Sequence, residues 1–335
     1  MILACDVGGT KTNVALLEQV GTRLTVTRLM SFPSHEHASL SEIIAAFLGE
    51  TRPTLHAAGF GIAGPVIGHL VETTNLPWEV DGLRLARELG LERVSILNDL
   101  EVQAWALPEL GATQHVSVQA GVPAPGNLAV IAAGTGLGMS ALLRGDGPVR
   151  SLASEGGHAG FAPDDEMEIE LLRFLQRQFG RVSAERVLSG AGLFRIYEFL
   201  RERERQTDPA WFTAALAHDD PAATVAHAAL DGRSAIAERA VLLFVRAFGA
   251  EAGNWALRTM ATGGVWLSGG VARKLLVGPE GTSEAWRQLA HEALVAGFRN
   301  KGRLTPLLDA MPLYIITTDD APLMGAARFA LTEAG

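Results

Sequence analysis

The chain predicts an α/β fold of two domains, each a mixed sheet with helices on its faces. Three observations predict it. Short apolar, β-branched runs open the chain as hairpins and then alternate with segments of helical spacing, the pattern of a mixed sheet covered by helices. The 335 residues, 48% of them hydrophobic, are more than one core usually holds together. The opening pattern also restarts after Pro108: an apolar strand, a Gly-Thr turn and a second apolar run, with VALL at Val14 echoed by SALL at Ser140. A duplicated unit would explain the echo and would set two glycine turns across one cleft.

The elements follow in order. Ile2–Val7, Val14–Leu17 and Leu24–Met30 read as a three-stranded meander turning at Gly21. Ser39–Leu48 has helical spacing and a serine start. Leu55–Ile62 is a strand, His69–Val71 a short one, and Asp81–Leu89 a helix capped by Asp81 and ended by Gly90. Val94–Leu97 is a strand, and Leu100–Leu107 a helix stopped by Pro108. Between His115 and Leu143 no Asp, Glu, Lys or Arg occurs. A membrane-spanning helix needs about 20 predominantly apolar residues, and prolines and glycines interrupt this stretch. We read it as a loop followed by two buried strands, Leu128–Ala132 and Met139–Leu143, joined by GTGLG. Helical patterns dominate from Asp164 to Met260. Gly263–Leu267 is a strand, Glu284–Phe298 a helix, Leu313–Thr317 a strand and Ala321–Leu331 a closing helix.

Composition narrows the function. The net charge is −9 with no basic cluster, so a nucleic-acid partner is not expected. The single cysteine, Cys5, excludes an internal disulfide and any multi-cysteine metal site, and fits a reducing cytoplasm. The start MILACD lacks the basic region of a signal peptide and meets Asp6 early.

The stretch CDVGGTKTN carries the first chemistry. Phosphate is held by backbone N–H groups that point inward together, which glycine permits. Gly8 and Gly9 supply that freedom, Thr10 a hydroxyl and Lys11 a charge. Asp6 would repel phosphate but can hold the water shell of a magnesium ion bound to it. The alternative is a plain hairpin turn with a satisfied Asp. A Walker A loop is absent. The fingerprint GFGIAG, Gly59 to Gly64, must open a helix to bind a dinucleotide, and Pro65 follows it at once. GTGLG at Gly134–Gly138 and LSGGVA at Leu267–Ala272 are further glycine turns directly after strands, the latter able to open a helix at Val271.

SILNDLEVQAWAL places Asn98 and Asp99 after a strand, where α/β sheets hold ligands. Moving a phosphoryl group to a hydroxyl needs a base within hydrogen-bond reach, and Asp suits the task. Asp99 could equally cap the helix at Leu100. In SLASEGGHAGFAP two glycines let Glu155 and His158 converge on a small ligand rich in hydroxyls. SHEHAS reads as a solvated loop. His291 has no second His at four residues and so is no zincin.

Together DVGGTKTN, GIAGPV, TTNLPW, LNDLEVQAWAL, AAGTGLG, SEGGHAGFAP, SAERVLSGAGL, GGVWLSGGVA and FRNKGR resemble the bacterial, zinc-free glucokinase family of the actin-like sugar kinase superfamily. The resemblance runs from Asp6 to about Arg303. It implies two ribonuclease-H-like domains of the actin-like ATPase kind around a central cleft. The small one would comprise residues 1–108 with 316–335, and the large one residues 109–315 with helical insertions. It implies ATP-dependent phosphorylation of the glucose 6-hydroxyl with Asp99 as general base. Asn98, Asp99, Glu155, His158, Glu185 and Asn75 would hold the sugar. Asp6, Val7, Gly8, Gly9, Thr10 and Lys11, with Gly134, Thr135, Gly136, Gly269 and Gly270, would hold the nucleotide. Magnesium would come with ATP, with no direct protein ligand and Asp6 reaching it through water. A homodimer is implied, with glucose and ATP as the partners.

Three positions depart from the family pattern. Lys11 is more like the repressor–kinase relatives, whose cysteine-rich zinc motif this chain lacks. Gly160 stands where many members have Asp, and Cys5 where Gly is common. A kinase for another hexose or an N-acetylhexosamine is the alternative, since fold alone does not choose the sugar. A sugar-responsive repressor would need a helix-turn-helix ahead of Ile2, and an actin-like ATPase a polymer surface or substrate-binding extension.

Overall fold

A computed structural model of the chain describes every residue except 51, 65, 74, 75, 123 and 335. The N-terminal meander is β1 (Ile2–Val7), β2 (Lys11–Val20) and β3 (Arg23–Pro33), followed by helix α1 (Leu40–Leu48) and strand β4 (Ala57–Ile62). A small three-stranded sheet, β5 (Val66–Ile67), β6 (Leu70–Glu72) and β7 (Glu79–Asp81), leads into α2 (Gly82–Leu89), then β8 (Ser95–Asn98) and α3 (Asp99–Ala106). The second half opens on β9 (His115–Gln119), β10 (Leu128–Ala133), β11 (Leu137–Leu143) and β12 (Arg150–Leu152). A helical run follows: α4 (Glu166–Phe179), α5 (Ala184–Val187), α6 (Gly190–Arg203), α7 (Ala210–Leu216), α8 (Pro221–Leu230) and α9 (Ala235–Thr259). The chain then runs through β13 (Gly264–Ser268), α10 (Gly270–Leu276), α11 (Glu284–Arg299), α12 (Thr305–Ala310), β14 (Leu313–Ile316) and α13 (Ala321–Ala334).

The duplication expected from VALL and SALL exists at the level of topology. One sheet has the order β3-β2-β1-β4-β8 and the other β12-β11-β10-β13-β14-β9. In each, the first strand pairs antiparallel with the next and parallel with the strand after the first helical insertion. The second sheet carries one additional edge strand, β9, antiparallel to β14. This corrects the loop expected there: HVSVQ is a short alternating segment that becomes a strand by pairing with residues far along the chain.

Period-two alternation assigns the faces. Leu3, Cys5 and Val7 pack with α1 and α2, whereas Ile2 and Ala4 pack with Val102 of α3 and Leu323 and Ala326 of α13. On the second sheet Ala129, Ile131 and Ala133 join the large helical core. Leu128 and Val130 face Ala104 and Trp105 of α3 and Met324 of α13. Helices α3 and α13 therefore form a layer between the two sheets. They cross closely because Gly325 has no side chain: a Cβ there would stand 1.7 Å from the Val102 carbonyl oxygen.

Helix caps formed where the sequence indicated them. The side chains of Ser39 and Asp81 accept from Glu42 N–H and Leu83 N–H, and α2 ends on Gly90 in the left-handed region. Among the described residues no helix is long and apolar enough to cross a membrane.

Candidate active site

The C-terminal ends of the central strands of both sheets meet at one cleft, and the glycine turns lie there. On the first sheet, Asp6 near the end of β1 stands opposite Asn13 of β2, whose Nδ2 donates to Asp6 Oδ2 at 3.4 Å. The turn from Gly8 to Lys11 closes through Gly8 N–H to the Lys11 carbonyl. SHEHAS is not simply solvated. Ser34 is buried, its hydroxyl donates to the Gly8 carbonyl at 2.7 Å, and its N–H donates to the Thr10 carbonyl. Ser34 thus fastens the turn from behind, a role its sequence context does not signal. His37, directly after the short 3-10 helix Ser34–Glu36, pairs with Glu42 through Nδ1 at 3.2 Å.

On the second sheet, Gly134, Thr135 and Gly136 turn between β10 and β11, with Gly134 N–H bonded to the Gly136 carbonyl. Gly134 in turn accepts from Gly190 N–H at the start of α6. Gly269 has φ +93° and caps α10, and a Cβ there would lie 2.2 Å from the Ala133 carbonyl oxygen. Only glycine lets the two strand ends approach this way. With Gly270 it opens the helix one residue ahead of the expected Val271 and aims its first N–H groups at the cleft.

Asn98 and Asp99 divide the work differently from the expectation. Asn98, not Asp99, is the N-cap: its Oδ1 accepts from Leu100 N–H at 3.0 Å while its Nδ2 donates to the Gly64 carbonyl. Asp99 is the first helical residue, and its Oδ1 also accepts from Leu100 N–H, at 3.1 Å. Burial pushes the Asp99 carboxyl above the ordinary carboxylate range, opposed by the Leu100 N–H, and the Glu155 charge adds to the rise. Burial likewise raises Asp6 to about 6, offset in part by Asn13, with the Asp99 charge raising it further. The Asp99 charge thus bears on Asp6, and the Glu155 charge on Asp99.

Glu155 caps a short 3-10 turn, Gly156–His158, and its side chain is largely exposed. His158 stands between two carboxylates, with Nε2 3.9 Å from Glu155 and Nδ1 4.0 Å from Glu185. Glu185 Oε2 accepts from Leu137 N–H at 3.0 Å, linking this group to the Gly134–Gly136 turn. The Arg181 guanidinium donates to the His158 carbonyl at 2.7 Å, and Gly160 bridges to Ser183, so the loop and the segment bearing Glu185 are zipped together. Asn75 lies outside the described residues.

Two cavities complete the cleft. One of about 200 Å³ sits between the sheets and is lined by Asp6, Lys11, Asn13 and Gln103 facing Ser268–Gly270 and Arg273. The other, of about 480 Å³ and mostly apolar, lies beside Gly134 and Thr135, walled by Gly190, Ala222, Val271 and Lys274. Gln103, Arg273, Lys274 and the α8 wall were not singled out from the sequence, although two cations follow SGG within one helical turn. Glycine turns with cationic neighbours suit a polyphosphate, and the apolar cavity has the size for a base and sugar. Among the described residues no group of three or more His, Cys, Asp or Glu side chains could hold a metal directly. Acceptor atoms at the cleft floor instead suit a hydrated cation.

Comparison with known proteins agrees. A model of the glucokinase family matches residues 3–333. The glucokinase of Nostoc punctiforme is 35% identical over 98% of both chains. The crystal structure of a glucokinase from an Antarctic psychrotroph superposes with a TM-score of 0.87 at 27% identity, covering 99% of this chain and 98% of that one. A ROK family glucokinase from Streptomyces griseus, in complex with glucose and AMPPNP, shares the fold at a TM-score of 0.62 and 20% identity, with 99% of both chains covered. The two sheets of repeated order, the cleft between them and these matches establish that the chain belongs to the glucokinase family.

Proposed function

We propose that the protein transfers the γ-phosphoryl group of ATP to the 6-hydroxyl of D-glucose, giving glucose 6-phosphate and ADP. The observation that carries the reading is the position of Asp99. It is the first residue of a helix sandwiched between the two sheets, electrostatically coupled to Asp6 on the nucleotide side and to Glu155 on the sugar side. In the productive complex the Asp99 carboxylate accepts the 6-hydroxyl proton as that oxygen attacks the γ-phosphorus, and the bond to the ADP oxygen breaks.

Glu155, His158 and Glu185 fix the sugar hydroxyls, and Asn75 joins them. Asn98 accepts once in its cap and donates to the Gly64 carbonyl and to the Asp99 carboxylate, so its side-chain oxygen keeps one lone pair for one hydroxyl. The turns from Asp6 to Lys11 and from Gly134 to Gly136, with Gly269 and Gly270, bind the phosphates through backbone N–H groups. Magnesium bound with the nucleotide supplies charge neutralisation on the phosphate oxygens, and Asp6 would hold it through water. We assign the lobes as residues 1–108 with 316–335, and 109–315, closing on glucose to exclude water. The buried, unreactive Cys5 suits a reducing cytoplasm, and we take the working unit to be a homodimer.

A coupled assay with ATP and magnesium, offering glucose, mannose, fructose and N-acetylglucosamine side by side, tests the substrate, and glucose is expected to turn over best. Asp99→Asn is expected to lower kcat by about 10²–10⁴-fold while glucose binding persists. Near-normal turnover in that variant would show that another group takes the proton.

A further inference from the structure

Gly138 is the second residue of β11, two positions past the Gly134–Gly136 turn. It shares with Leu142 the strand face turned to the α3–α13 layer. Its φ lies outside the left-handed region, so backbone conformation does not demand glycine there. Close packing does. A Cβ at this position would stand 2.5 Å from Leu100 Cδ2, 2.7 Å from Cγ and 3.3 Å from Cδ1. Because Cγ is among these atoms, turning the tip of the leucine does not clear the overlap; χ1 or the helix itself must move. The Leu100 side chain thus occupies a gap that exists only because residue 138 has no side chain.

Leu100 also carries the N–H that Asn98 Oδ1 and Asp99 Oδ1 both accept, at 3.0 and 3.1 Å. The next residue, Glu101, accepts from the Ser151 hydroxyl of β12 at 2.7 Å. The first turn of α3 is therefore registered on the second sheet at two points, while Asn98 ties it to Gly64, just past β4. The strand start that receives Leu100 also holds the sugar side, since Leu137 N–H donates to Glu185. We infer that Gly138 is a positioning residue for the transfer: the gap it leaves in β11 receives Leu100 and so fixes the Asp99 carboxylate relative to the Gly134–Gly136 turn. The inference rests on the phosphotransfer reading above. In-line attack tolerates little error, and a misplacement of about 1 Å costs up to about 10²-fold in rate.

A double-mutant cycle of Gly138→Ala and Leu100→Ala, read as kcat at saturating glucose and ATP, tests it. Gly138→Ala is expected to lower kcat about 10- to 100-fold with KM for ATP kept. It is also expected to move the acid limb of the kcat profile to higher pH, because the Leu100 N–H that opposes the rise in Asp99 is displaced. Glu155 and Asp6, whose charges also interact with Asp99, stay in place. In the Leu100→Ala background the same glycine substitution is expected to cost nothing, since the three atoms that the added methyl would strike are gone. If Gly138→Ala does not fold, Leu100→Ala alone, which inserts nothing, decides. A lowered kcat and a limb at higher pH are expected of it, and parent values of both would overturn the inference. So would a Gly138→Ala protein that melts earlier with kcat and limb unmoved, a loss confined to KM for ATP, or an equal cost in both backgrounds. Each of these leaves glucose phosphorylation intact. A parent protein that does not phosphorylate glucose would overturn the underlying reading as well.

Discussion

Asp99 works against its surroundings. A base must be ionised, yet burial and the Glu155 charge both favour its protonated form. The acid limb of the kcat profile is therefore expected above the ordinary carboxylate range. Glu155→Gln removes the charge that raises Asp99, so this limb moves to lower pH while KM for glucose rises, since a charged acceptor worth roughly 1.5–3 kcal/mol is lost. A pH series on the variant checks both effects, and an unmoved limb would mean that Asp99 is not the titrating group. Asp6 carries the same conflict. Its folded pKa of about 6 lies above its unfolded value, so its contribution to stability is full below the unfolded pKa and is lost as pH rises through about 6. The ionised form needed beside a cation is the one the empty fold disfavours. That Asp99 could cap or catalyse was legible in the sequence, but which of Asn98 and Asp99 caps was not. Both side-chain oxygens reach Leu100 N–H, and backbone geometry decides.

At the scale of elements, the turn after β1 depends on its support. Ser34→Ala removes the donor to the Gly8 carbonyl and the bond with Thr12 Oγ1, leaving the backbone bond to Thr10. A loss of about 1 kcal/mol in positioning is expected to raise KM for ATP about 5-fold with glucose affinity kept. Steady-state kinetics against both substrates check it, and a lowered melting temperature with KM for ATP unchanged would make Ser34 only structural. Local chemistry made most elements readable. The caps at Ser39, Asp81 and Ser283 bond to N–H groups two or three residues away, so sequence alone contains both partners. Ser34 and β9 were missed for the opposite reason. The Ser34 acceptor lies across the sheet on another turn, and β9 exists because β14 supplies its hydrogen bonds. Gln103 is similar: its spacing from Asp99 is visible, but the facing wall comes from β13 and α10.

For the whole molecule, the repeated sheet order and the intervening α3–α13 layer define how it can move. Val102 packs with the first sheet and Trp105 with the second, so closure must pivot on this layer. Adding glucose is expected to reduce the radius of gyration in small-angle scattering, and an unchanged curve at saturating sugar would count against closure. The internal echo was readable because a strand–turn–strand unit keeps its local pattern. The layer was not, because nothing local tells α13, which follows a strand of the second sheet, to lie on the first. That placement has a consequence on the ribosome. The strands of the first sheet emerge well before the helix that packs on them, and until residues 321–334 emerge, Ile2, Ala4 and Ala57 lack their contacts with α13. The lobe begun before the other is completed after it, so a nascent chain carries an apolar sheet face covered only by α3 from the emergence of β4 to that of α13.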